Sequence, residues 1–429
     1  MLCLSLNLTN NVKVVDKFYR LILPIIFTVF CCIMEQLRRA GAFERERLIL
    51  SVKLIRPEYA AKFHCDGRLC GSRCCREWEI VIDNATYEKY CALEPEKFRR
   101  EVCGWLEKED DAQRIRLKEN GDCPFLREDY LCRIQREKGG DFLSDVCYSY
   151  PRMTYCCKDT CWQTLVMSCP VAARDLLSLQ APLKFEMVSV GEKRIGRCFD
   201  VTARVSPYGR YRWELKLAGV RFLQDESRSL SDRMVNMLFF YERIDEFIAS
   251  SDEQGIKSLL LLSEAGVNFA PTKDHASVDA GSRRLEYMRL MMELYHEIYG
   301  SPTDEARLSE LIRVYAQNDA AFVRDVLTGR QLALENYLVN EFFLRFYPFA
   351  YQGSLSENVR VFIMAWQVTE FGLRMMAAQE PLNLERLVLC ISRLSDRLDH
   401  SKKTAEALQN KVRLLKLDST EYARILLDF

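Results

Sequence analysis

The residues best able to do chemistry in this chain are its cysteines, and they are bunched. Thirteen of the eighteen lie between Cys65 and Cys169. The densest part reads Phe63-His64-Cys65-Asp66-Gly67-Arg68-Leu69-Cys70-Gly71-Ser72-Arg73-Cys74-Cys75, so four thiols fall within eleven residues. Cys123, Cys132, Cys147 and Cys169 follow at longer intervals. Packing alone does not give such crowding, because a buried unliganded cysteine behaves as a small hydrophobe and scatters through a core. Short spacers let one loop set several sulfurs around one centre, and Gly67 and Gly71 supply the backbone freedom to wrap it. Arg68, Arg73 and Arg76 flank the loop; their charges are expected to lower the thiol pKa values and to offset a thiolate-bound centre.

Three chemistries concentrate cysteine in this way: a disulfide framework, zinc, or an iron–sulfur cluster. Disulfide frameworks belong mostly to small secreted domains that lack a core. Here 48% of residues are hydrophobic, ample for a core, so metal is the expected reading. The four histidines (His64, His275, His296 and His400) are too few for a three-histidine site, although one could stand beside the cysteines. Thiolates must then ligate, and soft thiolates favour zinc, Cu(I) or iron–sulfur centres. The spacing is neither the paired C-x2-C of structural zinc nor the C-x2-C-x2-C-x3-C run of bacterial ferredoxins, which leaves zinc and iron–sulfur both open. No phosphate-binding loop, dinucleotide fingerprint or serine nucleophile elbow occurs.

The elements that must position these residues are short. Trp78, Ile80 and Ile82 alternate with Glu79 and Asp83, which predicts a half-buried strand. A helix is expected over Thr86–Trp105, capped by Asp83 or Asn84. The acidic run Glu107–Asp111 reads as a solvated loop, and Asn120-Gly121 as the turn of a hairpin. Cys123–Leu126 and Leu131–Ile134 would place two cysteines on adjacent short elements. Gly139-Gly140 breaks the chain before a short helix running into Cys147. A weak strand near Phe185–Val190 and a helix over Tyr211–Leu223 come next.

From about Ser229 helical spacing dominates. Met234, Leu238, Tyr241, Ile244 and Phe247 form one stripe, and Leu285, Met288, Met292, Tyr295 and Ile298 another. Leu334–Phe346 is apolar over much of its circumference, the mark of a buried helix, and Pro348 ends it. Leu384, Leu387, Ile391, Leu394 and Leu398 make a further stripe that is too short for a partner seam and is assigned to the core. The fold class is therefore mainly α, of the α+β kind. A cysteine-rich metal- or cluster-binding region with short strands (50–175) is followed by a transitional segment (176–228) and a helical domain (229–429).

Lys and Arg together number 61, as do Asp and Glu, so the formal net charge is zero and a nucleic-acid partner is not expected. Residues 1–49 read differently. Lys17 and Arg20 precede an apolar run, Leu21–Met34, too short to span a membrane comfortably, and no small-residue cleavage site follows. A true start at Met34, a packing or membrane-surface helix and a targeting segment all fit; no stable membrane insertion is expected, and a cytoplasmic location is.

The motif F-x-C-x4-C-x3-C-C-x2-W-x-I over Phe63–Ile80 resembles the opening block of the bacterial flagellin lysine-N-methylases. Cys123-Pro124-Phe125-Leu126, the block from Leu131, the block Leu143–Arg152 and the block from Ser168 are similar to the blocks that follow. Leu334–Phe349 resembles that family's helix motif. The resemblance spans about residues 51–400. It implies methyl transfer from S-adenosylmethionine to lysine ε-amines of flagellin, with a four-iron (4Fe–4S) cluster, or zinc, held by ligands among Cys65, Cys70, Cys74, Cys75, Cys123, Cys132 and Cys147. Tyr148, Tyr150 and Arg152, just behind Cys147, are candidates for lining the reaction site. The same residues also allow a zinc-stabilised cytosolic adaptor without catalysis, or an exported disulfide protein.

Overall fold

The computed structural model describes residues 52–76, 78, 80–109, 112–190, 195–271, 280–300, 329–377 and 382–427. The apolar run Leu21–Met34, His275, Glu77 and Glu79 lie outside the described residues. The chain divides into two compact units, and the features below belong to the larger, 53–188 with 194–429, except for the terminal strand residues Val52, Ser189 and Val190.

A mixed sheet and a small antiparallel sheet are packed with many helices, as the α+β expectation requires. The larger sheet has the order β7-β1-β6-β5-β8, from strands β1 (Val52–Pro57), β5 (Arg152–Cys157), β6 (Thr160–Leu165), β7 (Phe185–Val190) and β8 (Cys198–Asp200). β5 and β6 form an antiparallel hairpin, β1 runs parallel to β6, and β8 runs parallel to β5. The smaller sheet is β2 (Ile80–Ile82), β4 (Ala112–Ile115) and β3 (Leu106–Glu109), paired in the order β2-β4-β3.

Two local expectations fail for identifiable reasons. The helix expected over Thr86–Trp105 is two helices, Asn84–Cys91 and Glu96–Cys103, because Pro95 has no N–H to continue the first and opens the second. The cap is Asp83, whose carboxylate accepts from Thr86 N at 2.9 Å. The hairpin turns at the acidic run, between β3 and β4, and not at Asn120-Gly121. Asn120-Gly121 is a local turn instead, closed by Lys118 N on Asp122 O and by the Asn120 side chain on Asp122. Glu107, Lys108 and Glu109 of that run are part of strand β3 itself, not of a loop.

The helical expectations hold. Helices run over Arg212–Leu223, Leu230–Ala249, Ala280–Tyr299, Gln331–Leu344 and Leu384–His400. Every residue from Ala333 to Leu344 is buried, and Leu387, Ile391, Leu394 and Leu398 are core residues. The polar residues of the buried helix are stitches. Asn340, one turn on from Asn336, accepts from Tyr59 Oη (2.7 Å) and Thr164 Oγ1 (2.6 Å) and donates to Leu165 O (3.1 Å). Asn336 accepts from Leu183 N and donates to Ala181 O. The helix is thereby locked to β6 and to the segment entering β7. Arg233 and Glu335 form a buried ion pair beside it.

Candidate functional site

The loop from Cys65 to Cys75 is built turn by turn. Asp66 caps a one-turn helix, Gly67–Cys70, by accepting from Arg68 N. Gly71 and Ser72 both take left-handed backbone, at φ 62° and 54°, which reverses the chain into the 3-10 turn Arg73–Cys75. Glycine suits the first of these because a Cβ is strained there. Gly67 is required for another reason: a Cβ would stand 2.0 Å from Tyr130 O.

This loop is tied to the other cysteine-bearing segments through the backbone. Cys123 N donates to Cys75 O at 2.8 Å, and Arg76 pairs with Asp122. Leu126 bridges to Cys132, and Arg133 N donates to Phe125 O, which fixes the two short cysteine elements side by side. Cys147 sits in the helix Asp145–Ser149, capped by Ser144. Asp83 anchors that helix to the strand β2, because its Oδ2 also accepts from Asp145 N at 2.9 Å.

These links enclose a cavity of about 560 Å³. All seven predicted ligand candidates (Cys65, Cys70, Cys74, Cys75, Cys123, Cys132 and Cys147) line it, together with Cys169. Tyr148, Tyr150 and Arg152 line it too, as do His64, Arg73 and Arg136. No aspartate or glutamate is among the described lining residues. That donor set fits a thiolate-held, thiophilic group and does not fit a hard cation such as magnesium or calcium, which takes oxygen ligands. Among the described residues, no three of these eight sulfurs lie within 4.8 Å of one another. Thiolates around a single zinc ion stand about 3.8 Å apart, given a Zn–S distance near 2.3 Å.

The flanking arginines do not lower the thiol pKa values as the sequence leads one to expect. Burial pushes Cys123, Cys147 and Cys169 each up to about 12. Burial likewise raises Cys65 and Cys132. A hydrogen bond with Cys74, followed by burial, raises Cys75. Arg76 lowers Cys75 and Arg152 lowers Cys65, but only as smaller opposing effects. Desolvation wins because one arginine at the rim cannot replace the water removed from several neighbouring sulfurs. A metal entering here must therefore displace thiol protons.

Arg152 is itself notable. Its guanidinium stacks over the Phe63 ring at 5.2 Å and donates to Phe63 O at 3.3 Å, and burial lowers its pKa. No carboxylate pairs with it among the described residues. His64 Nδ1 lies 2.6 Å from Lys62 O. A carbonyl can only accept, so Nδ1 carries the proton and Nε2 is left as the acceptor when the ring is neutral.

One wall of the cavity is fastened to the helical part of the unit, which sequence reasoning missed. Trp78 packs edge-on against Tyr150 (5.3 Å) and His400 (4.7 Å). Ser168 Oγ lies 2.9 Å from His400 Nε2 and 3.4 Å from Tyr150 Oη, and Ser168 N donates to Asp399. Asp399 pairs with Arg345, which also holds Glu341. Burial pushes Glu341 up to about 7, with Asp399 adding to the rise and Arg345 opposing it. No short-range signal connects Ser168 with His400, since 232 residues separate them.

The fold and cavity define a thiol-lined pocket built in front of a large helical body. A family model described as the FliB lysine N-methylase C-terminal domain matches residues 219–426, which is that helical body. A lysine-N-methylase of Salmonella typhimurium is 31% identical over 140 residues, 30% of this chain and 33% of that protein. The flagellar biosynthetic protein FliU of Salmonella muenchen is 30% identical over 156 residues, 33% of this chain and 85% of that protein. The chain belongs to the FliB lysine N-methylase family. Its match spans about a third of the length of the Salmonella lysine-N-methylases. No solved structure matches it. No helix among the described residues is long and apolar enough to cross a membrane.

Proposed function

We propose that this chain is a protein-lysine N-methyltransferase. In this reading it moves methyl groups from S-adenosylmethionine to lysine ε-amines of flagellin, and the cavity thiols hold a 4Fe–4S cluster. Family membership supports the reaction, and the names of the relatives support a flagellar substrate. The observation that carries the cofactor reading is the convergence of eight cysteines on one cavity with no described carboxylate in its lining. When bound, the cluster would supply a Lewis-acidic iron able to anchor the amino and carboxylate groups of the donor.

The chain's own residues then have distinct tasks. Arg152, a cation with no described carboxylate partner, is suited to a ligand carboxylate, which an arginine fork can bind through two parallel hydrogen bonds. A lysine amine is protonated at neutral pH, with a pKa of about 10.4, and must lose that proton before it can attack. Burial beside Arg73, Arg136 and Arg152 would favour the neutral amine. His64 Nε2 is the candidate acceptor for the proton. Tyr150 is held as a neutral phenol, because burial raises its pKa well above the usual value. It therefore offers a hydrogen bond and apolar surface, not a base. In the transfer the carbon–sulfur bond breaks as the nitrogen–carbon bond forms, the donor leaves as a neutral thioether, and the amine proton passes to His64.

The test is a labelled-methyl assay with anaerobically purified, iron-loaded protein and flagellin from the same organism. Label in lysine is expected. Iron-loaded protein that transfers no label to flagellin contradicts the reading.

A further inference from the structure

A second group of sulfurs lies outside the cavity. β5 and β6 turn tightly through Lys158-Asp159, with Lys158 in left-handed backbone at φ 56°. The register sets Cys156 directly opposite Cys161, and the two form a disulfide with Cα atoms 4.2 Å apart. β8 runs along the far side of β5 and brings Cys198 alongside Thr154. The three sulfurs all lie within 4.8 Å of one another, and theirs is the only such group of metal-ligating side chains among the described residues. None of the three lines the cavity.

The position of Cys198 is fixed by the backbone before it. Gly196 has φ 81°, and a Cβ there would stand 2.6 Å from Ser149 Oγ. Ser149 Oγ accepts from Arg197 N at 2.7 Å. The Cys198 thiol makes a long contact, 3.7 Å, to Gly196 O. Cys161 is buried, Cys156 is half-buried and Cys198 is exposed, so the group opens to solvent on the Cys198 side.

We infer that Cys156, Cys161 and Cys198, once the bridge is reduced, form a second metal site for a single thiophilic cation of the zinc type. Three thiolates with one water complete a tetrahedron. Zn–S bonds near 2.3 Å put the sulfurs about 3.8 Å apart, a spacing that the three side chains, all within 4.8 Å of one another, can reach once the bridge opens. Among the described residues, no three cavity thiols share this close spacing. The bridge gains two electrons and two protons from an external dithiol, which becomes its own disulfide. Zinc then displaces three thiol protons to solvent and leaves a site of net charge −1. The inference does not depend on methyl transfer or on the identity of the cavity group.

The test compares the full chain with its Cys198→Ser variant. Each is reduced anaerobically with dithiothreitol, freed of it, exposed to zinc with a competing chelator, and analysed for metal. The wild type should bind about one zinc per chain more than the variant, and cobalt in its place should give thiolate charge-transfer absorption. The unreduced wild type should lack that additional ion. Cys198 is exposed, so the variant should fold; a Cys156→Ser/Cys161→Ser chain should lose the same ion. Equal uptake by wild type and Cys198→Ser, equal uptake before and after reduction, or a new disulfide at Cys198 with no metal gained would each overturn the inference.

Discussion

The two ends of the large unit close themselves in different ways. The helical body has an extensive core in which the stretch Ala333–Leu344 is buried throughout, and Asn336 and Asn340 within it are stitched by hydrogen bonds. The front has a separate, much smaller core around Ile80, Tyr90, Phe98, Val102 and Phe125, into which Cys123 is packed. Next to that small core lies the 560 Å³ cavity walled by sulfur. Small cores are marginal and need staples. Apolar burial closes the rear, whereas the front keeps a small core beside an open, thiol-lined cavity.

That contrast can be broken at several points, and the largest effect should come from metal removal. Stripping the cavity group by anaerobic chelation should open the front alone. Amide hydrogen exchange should accelerate across residues 123–147 while 331–400 keeps its protection, on the scale of the ~10 kcal/mol that structural metals contribute. Uniform loss of protection in both regions would erase the distinction. Next, Phe342→Ala should cost about 4 kcal/mol, because a fully buried ring leaves a void that the helix cannot fill. Denaturant unfolding checks it, and iron per folded chain should not change. Asn340→Ala should cost about 2–3 kcal/mol, since it leaves the hydroxyls of Tyr59 and Thr164 and the carbonyl of Leu165 without their partner.

Asp83→Ala should have the smallest effect, about 1–2 kcal/mol, and only at the front. Burial alone would raise the Asp83 pKa, but hydrogen bonds from Asp145 N, Thr86 N and Thr86 Oγ1 outweigh it and hold the pKa below the usual range. A depressed carboxylate pKa stabilises the fold above the unfolded value, near 3.9, and the contribution is lost as the pH falls through the folded value. Acid unfolding of the front should therefore be less steep below about pH 4 in the variant. Equal acid slopes in the two chains would remove Asp83 from this role.

Much of this was legible in the residues. The stripes at Leu384–Leu398 and Leu334–Phe346 have the period and length that force burial, and the residue types mark Asp83 or Asn84 as a cap, of which the fold uses Asp83. The bunching of cysteines marked the cavity wall, down to Tyr148, Tyr150 and Arg152. What escaped was set by contacts distant in sequence or by competing local signals. Pro95 split a helix whose apolar spacing ran through it. The acidic run made a hairpin because β4 had β2 to pair with. The rise in the thiol pKa values depends on how much water the fold removes, which no spacing reveals. The link from Tyr150 through Ser168 to His400 joins segments with nothing in common along the chain.

The central claim is that cavity sulfurs from separate loops share one polynuclear inorganic group. Iron and acid-labile sulfide, measured per chain on anaerobically purified protein, test it directly. About four of each are predicted for a single four-iron cluster. Zinc without sulfide, or neither metal nor sulfide, would contradict it.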